Sequence, residues 1–499
     1  MDRSSTRSAL LELPDDVLIY LFDLLPIPEI LIIRKTCKRM QKISELRIVW
    51  TNACTHQILQ HRYPFPDALS ADLSVADLER HTRHAHCLAT WWRSPEPSHP
   101  TVFTEFDATN GTPVSDLRFV PGHEGRWLLS ESMGIWSILC LWELSAPGAS
   151  PLKKFEWSRR DCLLRGFLLN EDPACEGALA LSIVQDGTTH VEIMSLHPNE
   201  GFRSIARIES ALTPLYLHGD TLVLCDSTKT SLVTNWRTGT SAILRRPDAS
   251  TPTGMEFNDD GIQVVIAPDS ILVVRARSLA LFPNPPLTKD PPAVHAPLAE
   301  HSFGWVDGVA VTSIPGPPSS APPVQPLSIL IRPEPDDPWA GSAHSLELYV
   351  LHPAQPPSRI PYAFPPTRTA RVPSARGALQ CRALRFGPHG SAMWVEPQDR
   401  SAAGLALMHL EPELERGCER LVCAAFPGPL VPRSSHSREQ GHGHAGTQRA
   451  PRDARSPLIE ARTLRANALN NWNAMDYDEV CGRVAVGSTR GKITVLALV

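Results

Sequence analysis

The sequence predicts a mostly β fold with a small all-α N-terminal domain, and three observations carry that prediction. The first fifty residues place apolar side chains at helical spacing. From Thr101 onward, short runs of Val, Leu and Ile alternate with turns marked by Gly, Pro and Asp. Proline supplies 48 of 499 residues, roughly double its average usage. A residue that removes a backbone donor and breaks helix interiors demands many loops and strand edges.

Composition narrows the function classes. Hydrophobic residues are 42% and charged residues 20%, as in folded soluble proteins. The net charge of −5 argues against nucleic-acid binding by bulk electrostatics, because such domains are usually basic. The 11 cysteines are scattered without a CxxC pair, which reads as reduced thiols of the cytosol or nucleus. "MDRSSTRSALLELPDD" lacks the apolar core of a signal peptide. The most apolar stretch, 18–33, is interrupted by Asp23, Pro26, Pro28 and Glu29 and falls short of the about 20 apolar residues a bilayer span needs.

The first element opens at "LPDD". Pro14 suits a first helical position, and Asp15 and Asp16 favour the partial positive charge of a helix start. Val17, Leu18, Leu21, Phe22, Leu24 and Leu25 follow at helical spacing, until Pro26 and Pro28 end the helix. "PEILIIRK" predicts a second short helix. "TCKRMQKISELRIVW" predicts a third, with Cys37, Met40, Ile43 and Leu46 toward one face. Three such helices cannot bury their apolar surface among themselves, and units this small are marginal without outside support.

This stretch resembles an F-box. The family pattern of Leu-Pro, an acidic residue, an apolar helix with a central Phe, a Leu-rich second helix and Val-Cys-Lys-Arg-Trp runs without a gap from Leu13 to Met40. Leu13, Pro14, Asp16, Leu18, Leu21, Phe22, Leu25, Leu31, Cys37, Lys38 and Arg39 match. Thr36 replaces the usual Val and Met40 the usual Trp, while Trp50 lies downstream.

From 52 to about 92 the chain still reads as helical. "SVADLERHTRHAHCLATWW" is capped by Ser74 and carries Val75, Leu78, Leu88 and Trp91 as apolar positions, a helical linker. Beyond it, Leu117, Phe119 and Trp127–Leu129 flank a Pro-Gly turn. "TLVLC", "SLVTNW" and "TSAIL" are successive strands. "FNDDGIQVVIAPDSILVVRA" repeats the scheme, with Asp-Asp-Gly as a hairpin signal. "SLELYVLH", "ALRFGPHGSAMWVE", "GLALMHLEP" and the final "AMDYDEVCGRVAVGSTRGKITVLAL" continue it. These units resemble a degenerate WD-type β-propeller, without its His and Trp-Asp signatures. About 40–45 residues per blade predicts six to eight blades. Ring closure then requires "KITVLALV" to share a blade with an early strand. Pro-rich stretches near 283–297, 315–326, 333–339, 353–373 and 427–455 read as solvated loops, and deleting 434–450 is expected to leave the melting temperature nearly unchanged.

No stretch announces catalysis. "HTRHAHC" offers His81, His84, His86 and Cys87. Its helical spacing points His86 and Cys87 apart, and a structural zinc site needs four convergent ligands. "GHGHAG" is a loop. "GSTRGKIT" has three residues between its glycines and Ile493 after Lys492, so it is a hairpin and not a phosphate loop. "RKTCKRMQK" reads as a solvated basic helix face. Tryptophans in the β region read as blade packing, with one or two on a binding face.

The predicted organisation is an F-box over 1–51, a helical linker over 52–100 and a propeller-like target-binding domain over 101–499. The resemblance, to F-box proteins of the fungal type, implies a non-catalytic, cofactor-free receptor subunit of an SCF-type cullin-RING ubiquitin ligase in the cytoplasm or nucleus. It implies a Skp-type adaptor, a cullin behind it and a protein target as partners, with no nucleic acid or membrane. It implies adaptor contacts at Leu13, Pro14, Asp16, Leu18, Leu21, Phe22, Leu25, Leu31, Cys37 and Met40. The alternative is a propeller scaffold that binds the adaptor without forming an active ligase.

Overall fold

The structure, a computed structural model, describes residues 12–66, 73–109, 111–197, 199–227, 229–245, 259–289, 291–313, 324–334, 345–355, 358–374, 381–397, 419–431 and 459–499. Four short helices come first: α1 (Asp15–Asp23), α2 (Ile27–Arg34), α3 (Lys38–Ser44) and α4 (Arg47–Ala53). Each of the first two is entered through a proline, Pro14 and Pro26, and carries acid in its first turn, as the macrodipole favours. Their inward residues, Leu18, Phe22, Ile27, Ile30, Met40, Ile43, Val49 and Trp50, are all buried.

The sequence predicts one third helix, and the structure breaks it into α3 and α4. The reason lies at Ser44. Its carbonyl accepts from the Trp50 indole at 2.8 Å and from Arg34 Nη2 at 3.1 Å, so it is committed to side chains. Beyond α4 the chain widens into a single π-helical stretch, Cys54–Leu59. α5 (Val75–Arg93) then begins where Ser74 accepts from the Asp77 N–H at 3.1 Å, an N-cap as predicted.

Seven sheets follow among the described residues, antiparallel throughout except for one short parallel outer strand on the third, each entered by its inner strand. Blades I to VI span 114–158, 162–209, 213–244, 261–301, 305–373 and 384–467. Blade VII consists of 472–497 and the strand Thr101–Asp107. That first strand pairs antiparallel with Lys492–Ala497, from Thr101 opposite Ala497 to Asp107 opposite Lys492. The ring is thus closed by its two ends, as the propeller reading requires, and no blade offers the closure an unpaired partner edge. Side chains reinforce the junction. Asp476 on blade VII accepts from the Phe119 N–H of blade I at 2.8 Å and from Arg385 Nε of blade VI at 2.7 Å. Asn473 donates to the Val114 carbonyl at 2.9 Å.

Three expectations change. Asp259-Asp260-Gly261 is not a hairpin turn. It is the entry to blade IV, where buried Asp259 accepts from Arg277 N–H at 2.8 Å and Ser278 Oγ at 2.6 Å. The turn falls instead between Gly261–Ala267 and Ser270–Arg275. The Pro-rich stretch 283–297 contains Ala293–His295, which pairs parallel with the outer strand of blade III. The stretch 353–373 contains Thr367–Pro373, the outer strand of blade V. Proline is tolerated at such edges because outer strands need fewer N–H donors. Residues 315–323, 335–339 and 432–455 of the other Pro-rich stretches, including 434–450, lie outside the described residues, as do "GLALMHLEP" and "GHGHAG".

The apolar interior does not stop between helices and ring. One cluster runs from Leu18, Phe22 and Trp50 through Leu78, Leu88 and Trp92 to Met393, Leu421, Trp472, Met475 and Leu498. At its crossing point stands Gly482, with φ of +59°, where a Cβ would lie 2.8 Å from Leu88 Cδ1. Only glycine gives both that conformation and that approach.

Candidate protein-binding surfaces

α1 presents two faces. Leu18 and Phe22 face the helical core at 1% and 2% exposure, while Tyr20 and Leu24 stand 64% exposed and Val17 joins them. Spacings of 3 and 4 put Val17, Tyr20 and Leu24 on one outward stripe. α2 adds Ile32, 63% exposed, and α4 begins with exposed Ile48. On so small a unit these exposed apolar side chains make a candidate contact surface.

The sequence-predicted adaptor residues divide between core and surface. Leu18, Phe22 and Met40 are buried in the helical unit's own core. Pro14 and Asp16 are exposed, and Leu13, Leu21, Leu25, Leu31 and Cys37 are half-buried, packed against that core. The family pattern records core and surface alike. Val17, Tyr20, Leu24 and Ile32, which it did not single out, occupy the outward face. Their signal was the helical period itself, displaced from the buried stripe.

The basic run is not simply a solvated face. Arg34 forms a bidentate pair with Glu79 of α5, both contacts at 2.8 Å, and donates to Ser44 Oγ at 2.9 Å. Its guanidinium lies 5.6 Å from the Trp50 ring. Lys35, Lys38 and Lys42 remain exposed.

On α5, His81 is buried beside Phe65 and 3.4 Å from Glu124 of the first turn of blade I. His84 rests against the backbone of Val480 and Cys481, and burial lowers its basicity. Burial does the same to His81 and His86. Cys87 is exposed. Among the described residues no group of three His, Cys, Asp or Glu side chains could hold a metal, and no helix is long and apolar enough to cross a membrane.

The ring has two faces. Turns between first and second strands, such as those at Glu124 and Gly482, point toward α5. Turns between second and third strands point the other way. On this opposite face Thr489-Arg490-Gly491 is indeed a turn between strands, and Asp186-Gly187 is its polar counterpart in blade II. Blade I instead carries Gly134-Ile135-Trp136, with Ile135 90% exposed. Its base is fixed by the Leu164 N–H donating to Ser137 Oγ at 2.9 Å. The other β-region tryptophans are mostly interior: Trp142, Trp157, Trp236, Trp394 and Trp472 are buried. Between the inner strands, Asp116, Arg118 and Asp476 form a charged group, and burial raises the Asp476 carboxyl to about 6 against the pull of Arg118.

The family model described as the F-box domain matches residues 10–52. No curated protein matches the chain. The buried Leu-Phe-Met core, the outward apolar strip and the closed ring behind them agree with that match: the chain is an F-box domain followed by a seven-bladed β-propeller.

Proposed function

We propose that this chain is a target-recruiting subunit of an SCF-type cullin-RING ubiquitin ligase, docking on a Skp-type adaptor and holding a protein target on its propeller. The observation that carries this reading is the exposed apolar strip Val17, Tyr20, Leu24 and Ile32 on a unit whose core is already filled. Tyr20, Leu24 and Ile32 stand 63–64% exposed among the described residues. A partner helix or groove would remove them from water at about 25 cal/mol per Å² of apolar area. The rim residues Leu13, Pro14, Leu21, Leu25 and Leu31 complete the docking face, and Leu18, Phe22 and Met40 shape it from behind.

The receptor itself performs no chemistry in this reading. It raises the effective concentration of the target beside a conjugating enzyme carried by the cullin, which makes ubiquitin transfer effectively intramolecular. In this reading the units divide near 51 and 100, although helices and ring share one apolar cluster.

The test is the double substitution Tyr20→Ala with Leu24→Ala. Both side chains are outward, so the melting temperature should move by less than about 2 °C, since surface substitutions fall within about 0.5 kcal/mol. Pull-down of a recombinant Skp-type adaptor should drop by at least tenfold, as expected when central contacts worth about 2 kcal/mol are lost. Adaptor binding that survives in a well-folded double mutant would remove the reading.

A further inference from the structure

The two faces of the ring carry apolar surfaces of opposite relief. The raised one is the blade I turn Gly134-Ile135-Trp136. Blades II, IV and VII make the same turn with Asp186-Gly187, Ala276-Arg277-Ser278 and Thr489-Arg490-Gly491. Blade I puts Ile135 there, 90% exposed and the most exposed large apolar side chain among the described residues, with Trp136 at 37% and Met133 at 45%. The turn is closed by the Gly134 N–H, which donates to the Trp136 carbonyl at 3.2 Å, and its base is held by Ser137, which is fully buried. Exposed apolar groups gathered in one place mark a contact surface, and a tip that projects is covered most fully by a hollow.

A hollow lies on the other side of the ring, between α5 and the end of the last strand. Ala76, Arg80, Arg83 and Cys87 share one stripe of α5 and, with Val499, line a cavity of about 620 Å³. Ala76 and Cys87 are exposed and Val499 is half-exposed, so the hollow is open to solvent. The arginines contribute aliphatic stems as well as charge. Their heads are tethered, Arg80 to Asp77 at 3.0 Å and Glu124 at 3.4 Å, and Arg83 to Glu79 at 3.4 Å.

Tip and hollow suit each other chemically. Ile135 matches the lining of Ala76, Cys87 and Val499, and an indole beside two guanidiniums is the pairing that a cation–π contact uses. A cavity of this size takes a drug-sized molecule, and so an isoleucine and an indole together. We propose that Ile135 and Trp136 of one copy of the chain insert into the α5 hollow of a second copy. The two features are separated by the length of a seven-residue blade strand such as Ser137–Glu143, about 23 Å. Two copies facing each other cannot fill both hollows at once. The contact is therefore heterologous, and each added copy offers a new tip and a new hollow. The apolar surface involved is roughly a few hundred Å², below the about 800 Å² per partner of a standard stable interface, so the association is weak and concentration-dependent.

Sedimentation velocity of the full-length chain from about 5 to 500 µM tests it. The weight-average mass should rise steadily with concentration and pass that of a dimer. Ile135→Asp removes the tip at a projecting side chain, and Ala76→Trp fills the hollow from an exposed helix position. Each should keep the chain monomeric with an unchanged melting temperature. Mixed in equal amounts, the two variants should associate again and stop at a dimer, because the first keeps its hollow and the second its tip. Tyr20→Ala with Leu24→Ala should leave self-association intact; its loss there would move the contact to the helical strip and overturn the pairing. A wild-type mass that stays monomeric throughout overturns the proposal and leaves the tip to a different protein. Association unchanged in either single variant, or a mixture that fails to associate, overturns it as well. Wild-type assembly that ends at a dimer overturns the head-to-tail arrangement.

Discussion

Glu131, on the second strand of blade I, is 3% exposed with Oε1 unpartnered. Burial first, and the nearby Asp116 second, raise its carboxyl to about 7 from an ordinary 4.5. A raised carboxyl binds its proton in the folded state while the unfolded chain has released it. Stability from this group is therefore greatest below pH 4.5 and is lost as pH rises toward 7. Glu131→Gln should be more stable than wild type at pH 8, by about 1–3 kcal/mol, with the difference shrinking to near zero at pH 4.5. Urea melts at several pH values check this, and a variant less stable at pH 8 would refute it. Taking the difference between variants matters because His81, His84 and His86, lowered by burial, act oppositely and weaken the fold as pH falls. None of this was legible in the sequence. Glu131 reads as an ordinary strand acid in "LLSESM", and only the ring shows that it is walled in. The motif named positions of the helical unit but left open which way each side chain faces, and the structure supplies that: Leu18, Phe22 and Met40 point into the core.

At the scale of elements, the helical unit is tied to the rest of the chain by the strut between Arg34 on α2 and Glu79 on α5. The two side chains are 20% and 15% exposed, so removing one leaves a partly buried charge behind. Glu79→Ala should lower stability by about 1–3 kcal/mol and expose α1 to α4 preferentially. Hydrogen exchange should then rise in residues 15–53 and stay unchanged in the blades; a uniform rise would show that strut and ring unfold as one. Helices and strands themselves read well from the sequence where their period was clean. α1, α5 with its Ser74 cap, and the strands of blades I, III and VII followed from spacing alone. The misreadings came where side chains overrode local signals. Ser44's carbonyl was captured by Trp50 and Arg34, which split a helix. Asp259 was captured by Arg277 and Ser278, which turned an apparent hairpin into a blade entry. Two proline-rich stretches became strands because a neighbouring blade offered them an edge.

The whole molecule depends on one long-range pairing, Thr101–Asp107 with Lys492–Ala497. Removing residues 101–107 should leave the strand Lys492–Ala497 as an open edge and take away buried Phe103, which packs with Ile493 and Val495. Such a variant should be recovered largely as soluble aggregate in size-exclusion chromatography, and a monomer with the wild-type melting temperature would contradict the closure argument. The propeller class was legible because repeated short strands and turns survive without signature motifs, and the early-late pairing followed from the need to close the ring. The blade count was only bracketed, because long insertions blur the period. The continuity between helices and ring was not legible at all. It has a mechanical meaning. Because Leu88 seats on Gly482 and the same apolar cluster continues into α1, α5 is a spacer about 28 Å long with both ends cemented. The outward strip and the far face of the ring are held at a fixed distance and angle, like the two jaws of a calliper. Under the receptor reading proposed above, a lysine to be modified would have to come to the gap by the target's own flexibility, so the residues reachable on a target would be chosen by its loops and tails rather than by a hinge between α5 and the ring.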